Sequence, residues 1–179
     1  MASSFPYHIR PARADDAEAI ARVQIASWRS TYSGLIAEAF LDHLDQQLDE
    51  RIQARERRFN NPDIMTFVMA SSHDYVGGFI DVGANRDKDA DYDAELYAIY
   101  LLKGWQGFHG GQCLVKTAVQ WLIMHHYQAL KVWAFQQNPF RRFYERLGGI
   151  LIDERSVTLG TQELREVAYG WPNLERLIS

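Results

Sequence analysis

The sequence predicts an α/β (α+β) fold, in which one domain carries a mixed, mostly antiparallel central sheet flanked by helices. Stretches with strand patterning alternate with amphipathic helical patterns along the chain. Residues 95 to 135 follow the order strand, loop, helix, strand. The 179 residues, 47% of them hydrophobic, are enough for one sizeable core but not for two full domains.

The first third of the chain is predicted to form one strand and two helices. A short strand around Tyr7 to Pro11 precedes Asp15, whose carboxylate suits the N-cap of a first helix. After Gly34, a second amphipathic helix is expected from about Ala37 to Phe59. The charge cluster from Arg51 to Arg58 is expected to lie on the solvated face of that helix.

The remaining chain is predicted to form mainly strands. Asn60-Asn61-Pro62 should end the second helix, and Ser72-His73-Asp74 should form a hairpin turn. The expected strands are Met65 to Ala70, Tyr75 to Val82, Glu95 to Leu102, Leu130 to Phe135, Ile150 to Val157 and Leu164 to Trp171, and the expected helices are Gln112 to Tyr127 and Pro139 to Leu147.

A glycine-rich loop is the most informative segment of the sequence. Gln106-Gly107-Phe108-His109-Gly110-Gly111 joins the strand ending at Leu102 to the helix starting near Gln112. A helix N-terminus offers unpaired N–H groups and the positive end of a dipole, and glycines let an anion approach the main chain. The loop therefore predicts a site for a phosphorylated ligand, with a turn that binds nothing as the open alternative.

Other phosphate and cation motifs fit this chain less well. The loop glycines do not follow the G-x-G-x-x-G spacing, and Val115 precedes Lys116-Thr117 where a P-loop requires glycine. The alternating aspartates from Asp87 to Asp93 resemble the start of a calcium loop, but Tyr92 stands where the invariant glycine should be. A solvated hairpin loop is the preferred interpretation of this segment.

Composition argues against several classes of partner. The formal net charge of -4 leaves no basic stripe for nucleic acid. The single cysteine, Cys113, excludes an internal disulfide, and the six histidines lack metal-binding spacing. No apolar run approaches the ~20 residues of a membrane span, and Met1 to Pro6 lack signal-peptide features. We expect a cytoplasmic protein that acts on a small substrate without a metal or a membrane.

A second motif carries a family resemblance. The segment from Asn138 to Gly149, with Phe143-Tyr144-Glu145 inside it, resembles the asparagine and F-Y-E-x-L-G-F signature of the GNAT superfamily of N-acetyltransferases, which use acetyl-coenzyme A (acetyl-CoA). The family's loop pattern is Q/R-x-x-G-x-G/A. Gln106 and Gly111 match that pattern, whereas His109 stands at its first glycine position.

The resemblance implies two neighbouring parallel strands splayed around the cofactor. It implies that the Leu101 N–H faces the thioester carbonyl and that Tyr144 is the general acid, with packing as the alternative role for Tyr144. Its ordinary pKa of about 10 is near that of a thiol. The implied cofactor-binding residues are Ile99, Leu101, Gln106, Gly107, Phe108, His109, Gly110, Gly111, Gln112, Asn138, Phe140 and Tyr144.

Three further expectations concern the base, the acceptor and the loop histidine. Glu95 is the candidate base, acting through water or after burial raises its pKa, and a structural role is its alternative. Trp28, Tyr32 and Tyr97 are the candidate acceptor-binding residues. A positive φ would cost His109 only modestly, and its protonated ring would then bind the pyrophosphate more tightly, unless the ring points into solvent.

The resemblance implies transfer of an acetyl group from acetyl-CoA to a primary amine of a small molecule or peptide, by direct attack in a ternary complex. The alternative is a non-catalytic acyl-CoA-binding or sensing module, which the departure at His109 favours. A second interpretation of the acidic segment from Asp87 to Asp93, ranked below the solvated loop, is that it attracts a cationic acceptor such as a polyamine. A homodimer is one possible assembly.

Overall fold

The computed structural model describes residues 7–87 and 91–178, in which strands and helices follow the predicted order. Met1 to Pro6, in which we expect no signal peptide, lie outside the described residues. The strands are β1 (Tyr7–Pro11), β2 (Ile64–Ser71), β3 (Val76–Ala84), β4 (Ala94–Leu101), β5 (Leu130–Phe135), β6 (Ile150–Leu159) and β7 (Gln162–Trp171), and the helices are α1 (Ala17–Tyr32), α2 (Glu38–Asp42), α3 (Leu48–Phe59), α4 (Gly110–Met124) and α5 (Arg142–Arg146).

Within the described residues, the seven strands form one sheet in the order β1-β2-β3-β4-β5-β7-β6. Every neighbouring pair is antiparallel except β4 and β5. That parallel pair joins Ala94 to Leu130, Glu95 to Lys131 and Leu96 to Val132, and it goes no further. The mixed, mostly antiparallel sheet is therefore confirmed.

The sheet splits where β4 leaves β5. A register shift in the β3–β4 ladder places Leu96 opposite Val82 and Ala98 opposite Asp81, so Tyr97 is an extra residue on β4. An extra residue of this kind bends a strand and increases its twist. Beyond this bulge, β4 stays paired with β3, whereas β5 stays paired with β7. A gap therefore opens between the C-terminal halves of β4 and β5.

Helices cover both faces of the sheet. On one face, Ile20 and Val23 of α1 pack with Val68 and Phe79 of the sheet. On the other face, α4 buries its apolar side against a core that includes Ile80. The predicted inward residues of α4 are all buried, namely Leu114, Val115, Ala118, Trp121 and Leu122.

Two local predictions in the first third of the chain are wrong. A 3-10 turn at Ala14–Asp16 precedes α1, so Asp16 rather than Asp15 stands at its N-cap position, without a side-chain cap hydrogen bond. The Asp16 carboxylate instead accepts the Arg13 N–H at 2.6 Å and pairs with Arg10 of β1 at 2.7 Å. The long second helix is divided into α2 and α3. A 3-10 turn at Asp45–Gln47 lies between them and directs α3 back across the sheet.

The charge cluster of α3 is only partly solvated, which corrects the prediction for residues 51 to 58. Arg55 is 5% exposed and forms an ion pair with Asp81 on β3, which is fully buried. The same carboxylate accepts the Thr66 hydroxyl at 2.6 Å and Nη1 of Arg58 at 3.1 Å. Helical spacing turns Arg55 towards the sheet, where Asp81 compensates its charge. Asp81 thereby ties α3 to β2 and β3.

Replacing the buried carboxylate should destabilise the fold. We expect Asp81→Asn to lower the free energy of unfolding by about 3–5 kcal/mol, because Arg55 would stay buried without its counter-ion. Urea unfolding measures this change. The control is Asp153→Asn at an exposed position, for which we expect a change within about 0.5 kcal/mol. Equal stability of the two variants would contradict the assigned role of Asp81.

Candidate active site

In the described part of the chain, two main cavities meet at the gap between β4 and β5. The larger has a volume of about 600 Å³ and the smaller about 330 Å³. The two cavities share one wall. A ligand bound in the larger cavity would therefore meet a ligand bound in the smaller cavity at this shared wall. The shared residues are Tyr32, Ile99, Tyr100, Asn138 and Tyr144.

The larger cavity contains the N-terminus of α4 and most of the glycine loop. Gly107 has φ of 84°, and His109, at the N-cap of α4, has φ of 59°. The condition of a positive φ, from which the argument about His109 starts, is therefore met. The ring Nδ1 of His109 lies 3.0 Å from Oε1 of Gln112, so the side chain interacts with its own loop. Contact between this ring and a bound phosphate stays a prediction.

The loop residues divide into those that line the larger cavity and one that does not. Phe108 is 42% exposed and lies outside the cavity lining. The side chain of Gln106 donates to the Leu101 carbonyl at 3.0 Å, which anchors the loop to the end of β4. The predicted cofactor-binding residues that do line this cavity are Ile99, Leu101, Gln106, Gly107, His109, Gly110, Gly111, Gln112, Asn138, Phe140 and Tyr144.

The glycines at the start of α4 lie close to neighbouring side chains. A Cβ on Gly110 would lie 2.6 Å from the sulfur of Met69, which is buried in the core. A Cβ on Gly111 would lie 3.3 Å from the ring of Phe143, which lines the cavity. The absence of side chains here brings the helix N-terminus close to the cavity. Its N–H groups and dipole suit a phosphate group, so the residues present fit a coenzyme A pyrophosphate.

The edge of β4 supplies hydrogen-bond donors to the gap. The Leu102 N–H donates to the Gly77 carbonyl at 2.8 Å, towards β3. Because successive residues of an antiparallel ladder alternate their hydrogen-bonding edges, the N–H groups of Ile99 and Leu101 face the other way, towards the gap. This is the edge at which the family resemblance implies the pantetheine and thioester contacts.

Tyr144 lies at the junction of the two cavities. It is 8% exposed, on α5, and its ring packs against Phe143, Tyr169 and Trp171. Its hydroxyl forms no hydrogen bond with any described residue. Burial raises the pKa of Tyr144 well above its ordinary value, with a smaller contribution from Tyr100. The hydroxyl therefore keeps its proton throughout the neutral pH range.

Asn138 and Tyr32 form the wall beside Tyr144. The side-chain N–H of Asn138 donates to the Tyr32 hydroxyl at 3.0 Å, and its carbonyl oxygen accepts the Phe140 N–H at 2.8 Å. Asn138 thus fixes the turn that leads into α5 and orients Tyr32 at the same time. Burial raises the pKa of Tyr32 far above its ordinary range, so this hydroxyl is also protonated.

Glu95 is not brought to this junction. It is 1% exposed, and its carboxylate accepts the backbone N–H of Arg86 at 3.1 Å and the guanidinium of Arg86 at 2.5 and 3.0 Å. It lines neither cavity. Glu95 lies in the paired segment of β4, before the bulge at Tyr97. The geometry therefore favours the structural alternative over a role as general base.

The smaller cavity brings together the three predicted acceptor-binding residues. Trp28, Tyr32 and Tyr97 all line it. The Tyr97 hydroxyl donates to the Ala84 carbonyl, and burial raises its pKa to about 12.

Sequence reasoning missed several residues that line the two cavities. The charged residues of the smaller cavity were missed because they come from distant segments of the chain. The missed residues are Arg55, Arg58, Asp81, Arg86 and Glu166 in the smaller cavity, and Ser27, Thr31, Phe143 and Arg146 in the larger.

Two aspartates of the acidic segment are used within the protein. Asp87 accepts from Lys131 at 2.8 Å and from the Trp133 indole at 2.7 Å. Asp93 accepts the backbone N–H groups of Gln128 and Ala129. These partners compensate two of the carboxylates that the alternative of a cationic acceptor would require. Residues 88–90 lie outside the described residues.

The comparison with protein families decides which family this fold belongs to. Residues 24–149 match the model of the acetyltransferase (GNAT) family. The chain belongs to this family. It is 31% identical over 170 residues to the uncharacterized N-acetyltransferase YuaI of Bacillus subtilis (strain 168), a match that covers 94% of this chain and 95% of that protein. The predicted family and acyltransferase activity are thereby confirmed.

Solved structures of GNAT proteins share this fold. The PaiA N-acetyltransferase of Thermoplasma acidophilum, in complex with coenzyme A, is 22% identical with a TM-score of 0.69, covering 89% of this chain and 97% of that chain. An N-acetyltransferase of Staphylococcus aureus Mu50 is 19% identical with a TM-score of 0.69, covering 94% of this chain and 98% of that chain.

In this GNAT chain, none of the described helices could span a membrane, and no metal-binding cluster occurs among the described side chains.

A branched side chain at the start of α4 should weaken binding of the GNAT cofactor. We expect Gly111→Val to displace Phe143 into the larger cavity and to cost about 1–3 kcal/mol, or roughly 10- to 100-fold in the Kd of acetyl-CoA. Calorimetric titration measures the affinity. Gly104→Val is the control, because its Cβ meets nothing within 4 Å. Equal affinity of the two variants would remove Gly111 from the site.

The left-handed conformation of His109 predicts a gain in stability on substitution by glycine. His109→Gly should raise the free energy of unfolding by about 1 kcal/mol, because the relief of backbone strain exceeds the entropy cost of glycine. Thermal and urea unfolding measure the difference. His109→Ala is the control, since it removes the ring but retains the strain. A less stable glycine variant would show that the contact with Gln112 outweighs the strain.

Proposed function

We propose that this GNAT protein, acting as one domain over residues 1 to 179, transfers the acetyl group of acetyl-CoA to a primary amine by direct attack in a ternary complex. The observation that supports this proposal is the meeting of two cavities at the gap between β4 and β5, with Tyr144 in their shared wall. Acetyl-CoA would supply an acetyl group activated as a thioester. The amine would enter from the smaller cavity.

The larger cavity would hold the cofactor by its main chain. The N-terminus of α4 and the loop from Gln106 to Gln112 would bind the pyrophosphate. The N–H groups on the free edge of β4 would bind the pantetheine at Ile99 and the acetyl carbonyl oxygen at Leu101. A donor fixed in a buried strand stabilises developing negative charge without reorganising at the moment of reaction.

Tyr144 would act as the general acid. The amine nitrogen would form a bond to the acetyl carbon, the carbon–sulfur bond would break, and the sulfur would take the hydroxyl proton of Tyr144. The proton that the nitrogen loses as it becomes an amide would pass through water and restore the Tyr144 hydroxyl. The raised pKa keeps this proton in place until the thiolate departs, and it makes the hydroxyl a weaker acid than an exposed tyrosine. The same dry surroundings also raise the pKa of the thiol, so that the transfer remains balanced.

Water would carry the amine proton away. An alkylammonium must lose a proton before it attacks, and Glu95 is occupied by Arg86 and lies outside both cavities. A proton released into the smaller cavity reaches solvent through water without a dedicated base. The fraction of neutral amine then rises with pH. The rate at subsaturating acceptor should accordingly increase up to about pH 9–10, near the pKa of the free amine.

Thiol release from acetyl-CoA over a panel of primary amines tests the proposed reaction. Turnover that depends on the added amine, with acetylated product identified by mass spectrometry, is the expected result. Hydrolysis without an amine is the background to be subtracted. Tight cofactor binding with no turnover of any amine would contradict the proposal and would favour a binding or sensing role.

Removal of the Tyr144 hydroxyl should slow the reaction without changing cofactor affinity. We expect Tyr144→Phe to lower kcat by roughly 10- to 1,000-fold, because the ring still packs but the proton donor is lost. Tyr169→Phe is the matched control, since its ring packs against Tyr144 while its hydroxyl bonds to Glu145 outside both cavities. An unaltered kcat, with chemistry shown to be rate-limiting, would assign Tyr144 to packing.

A further inference from the structure

The helix behind the smaller cavity carries more positive charge than its surroundings compensate. Arg51, Arg55 and Arg58 follow the i, i+4, i+7 spacing of one face of α3. Among the described residues, Asp81 is the only carboxylate that hydrogen-bonds to any of the three. Arg51 instead donates to the Gln47 side chain at 3.2 Å, and its buried Nε has no hydrogen-bond partner in the described structure. This face of α3 is therefore net positive.

Arg58 presents that excess charge to the cavity. It lines the cavity, its side chain is 30% exposed, and within the described structure its single hydrogen bond runs from Nη1 to Asp81. Its Nε and Nη2 groups remain available, and guanidinium geometry suits a carboxylate. Burial lowers the pKa of Arg58, and the like charges of Arg55 and Arg86 oppose its ionisation further. An added anion would relieve these costs.

Arg86 extends the positive surface to the mouth of the cavity. Its guanidinium lies 4.7 Å from the ring centre of Tyr97, and that of Arg58 lies 5.6 Å from the same centre. Tyr97 thus orients both groups around the bulge of β4. Arg86 is compensated by Glu95, so the unmatched charge stays with the α3 face.

The opposite wall of the cavity carries a carboxylate. Glu166 on β7 pairs in register with Phe135 on β5, and it lines the smaller cavity. Its Oε2 accepts from Arg155 at 2.8 Å, and its side chain is 17% exposed. Its negative charge also acts on Tyr32, in the wall that the two cavities share. Only Oε2 is engaged by a described residue, so Oε1 is left to accept from an ammonium group in the cavity.

We infer that the acceptor is a small primary amine that carries a carboxylate, which Arg58 binds while the amine lies between Glu166 and Tyr144. The inference rests on the proposed function and names the substrate class of the same site. A volume of about 330 Å³ suits a molecule the size of an amino acid. A polyamine would place a second cation against the α3 face, which like-charge repulsion opposes. Asp87 and Asp93 of the acidic segment already have partners within the protein, and they supply no compensating attraction.

Acceptors that differ only in the carboxylate test whether the protein recognises that group in addition to the amine. The panel is the twenty standard amino acids with β-alanine and γ-aminobutyrate, each compared with its primary amide and with its decarboxylated amine. We expect kcat/KM for the best acid to exceed that of its amide and amine by roughly 10- to 100-fold. Amides or amines that react as well as the acids would overturn the inference while leaving the acetyltransferase proposal intact.

Arg58→Gln tests the residue that carries the inference. We expect it to raise KM for the acid by roughly 10- to 100-fold with little change in kcat, and to alter the values for the amide by less than about threefold. Arg58→Lys should recover part of the loss because it restores the charge. Arg57→Gln is the matched control, with the same change of charge at an exposed position on the same helix. An equal loss for acid and amide would assign Arg58 to structure.

A binding measurement that involves no reaction tests the acceptor class independently of the proposed acetyl transfer. The protein saturated with coenzyme A is titrated calorimetrically with the best-binding acid and with its decarboxylated amine. We expect only the acid to bind, and Arg58→Gln to abolish that binding. Binding of the acid without any acetylation would overturn the proposed reaction but support the acceptor class. Equal binding of acid and amine would overturn the acceptor class alone.

Discussion

The parallel pairing of β4 with β5 ends after three residue pairs, and the rest of the site depends on that early end. The extra residue at Tyr97 turns β4 away while β3 continues to hold it. Main-chain N–H groups that would otherwise pair with β5 are left facing a gap, at Ile99 and Leu101. A continuous ladder would leave no room for two ligands to meet through the sheet and no donors at their meeting point.

Asp81 connects this opening to the wall of the smaller cavity. It lies opposite the bulge, so the register shift and the buried ion pair with Arg55 occur at the same place in the sheet. A fully buried carboxylate is tolerated there because two guanidinium groups and a hydroxyl surround it. This arrangement holds α3 against the sheet. Because Arg55 and Arg58 share the single carboxylate of Asp81, the charge of Arg58 is not fully compensated. One buried group thus serves both stability and the charge of the cavity.

Sequence reasoning recovered the parts of the molecule that are encoded locally. The bounds of β1 and β5 and the inward residues of α4 follow from short-range patterning, and the loop from Gln106 to Gln112 follows from its glycines. The role of Arg55 was missed because a residue in a charged run looks solvated until its partner across the sheet is known. The ion pair of Glu95 was not foreseen for the same reason. Its partner Arg86 lies nine positions earlier, and that contact depends on how the chain enters β4.

The two proposed ligand sites are therefore encoded in different ways. The proposed cofactor side depends on backbone donors and glycines within two short segments, and backbone groups are present whatever the neighbouring side chains are. The proposed acceptor side is assembled from residues of α1, α3, α5, β3, β4, β5 and β7, together with Arg86 and Asn138. Its charge balance changes with any single substitution at Arg58 or Glu166. A change of acceptor class therefore requires no change in the segments that bind the cofactor.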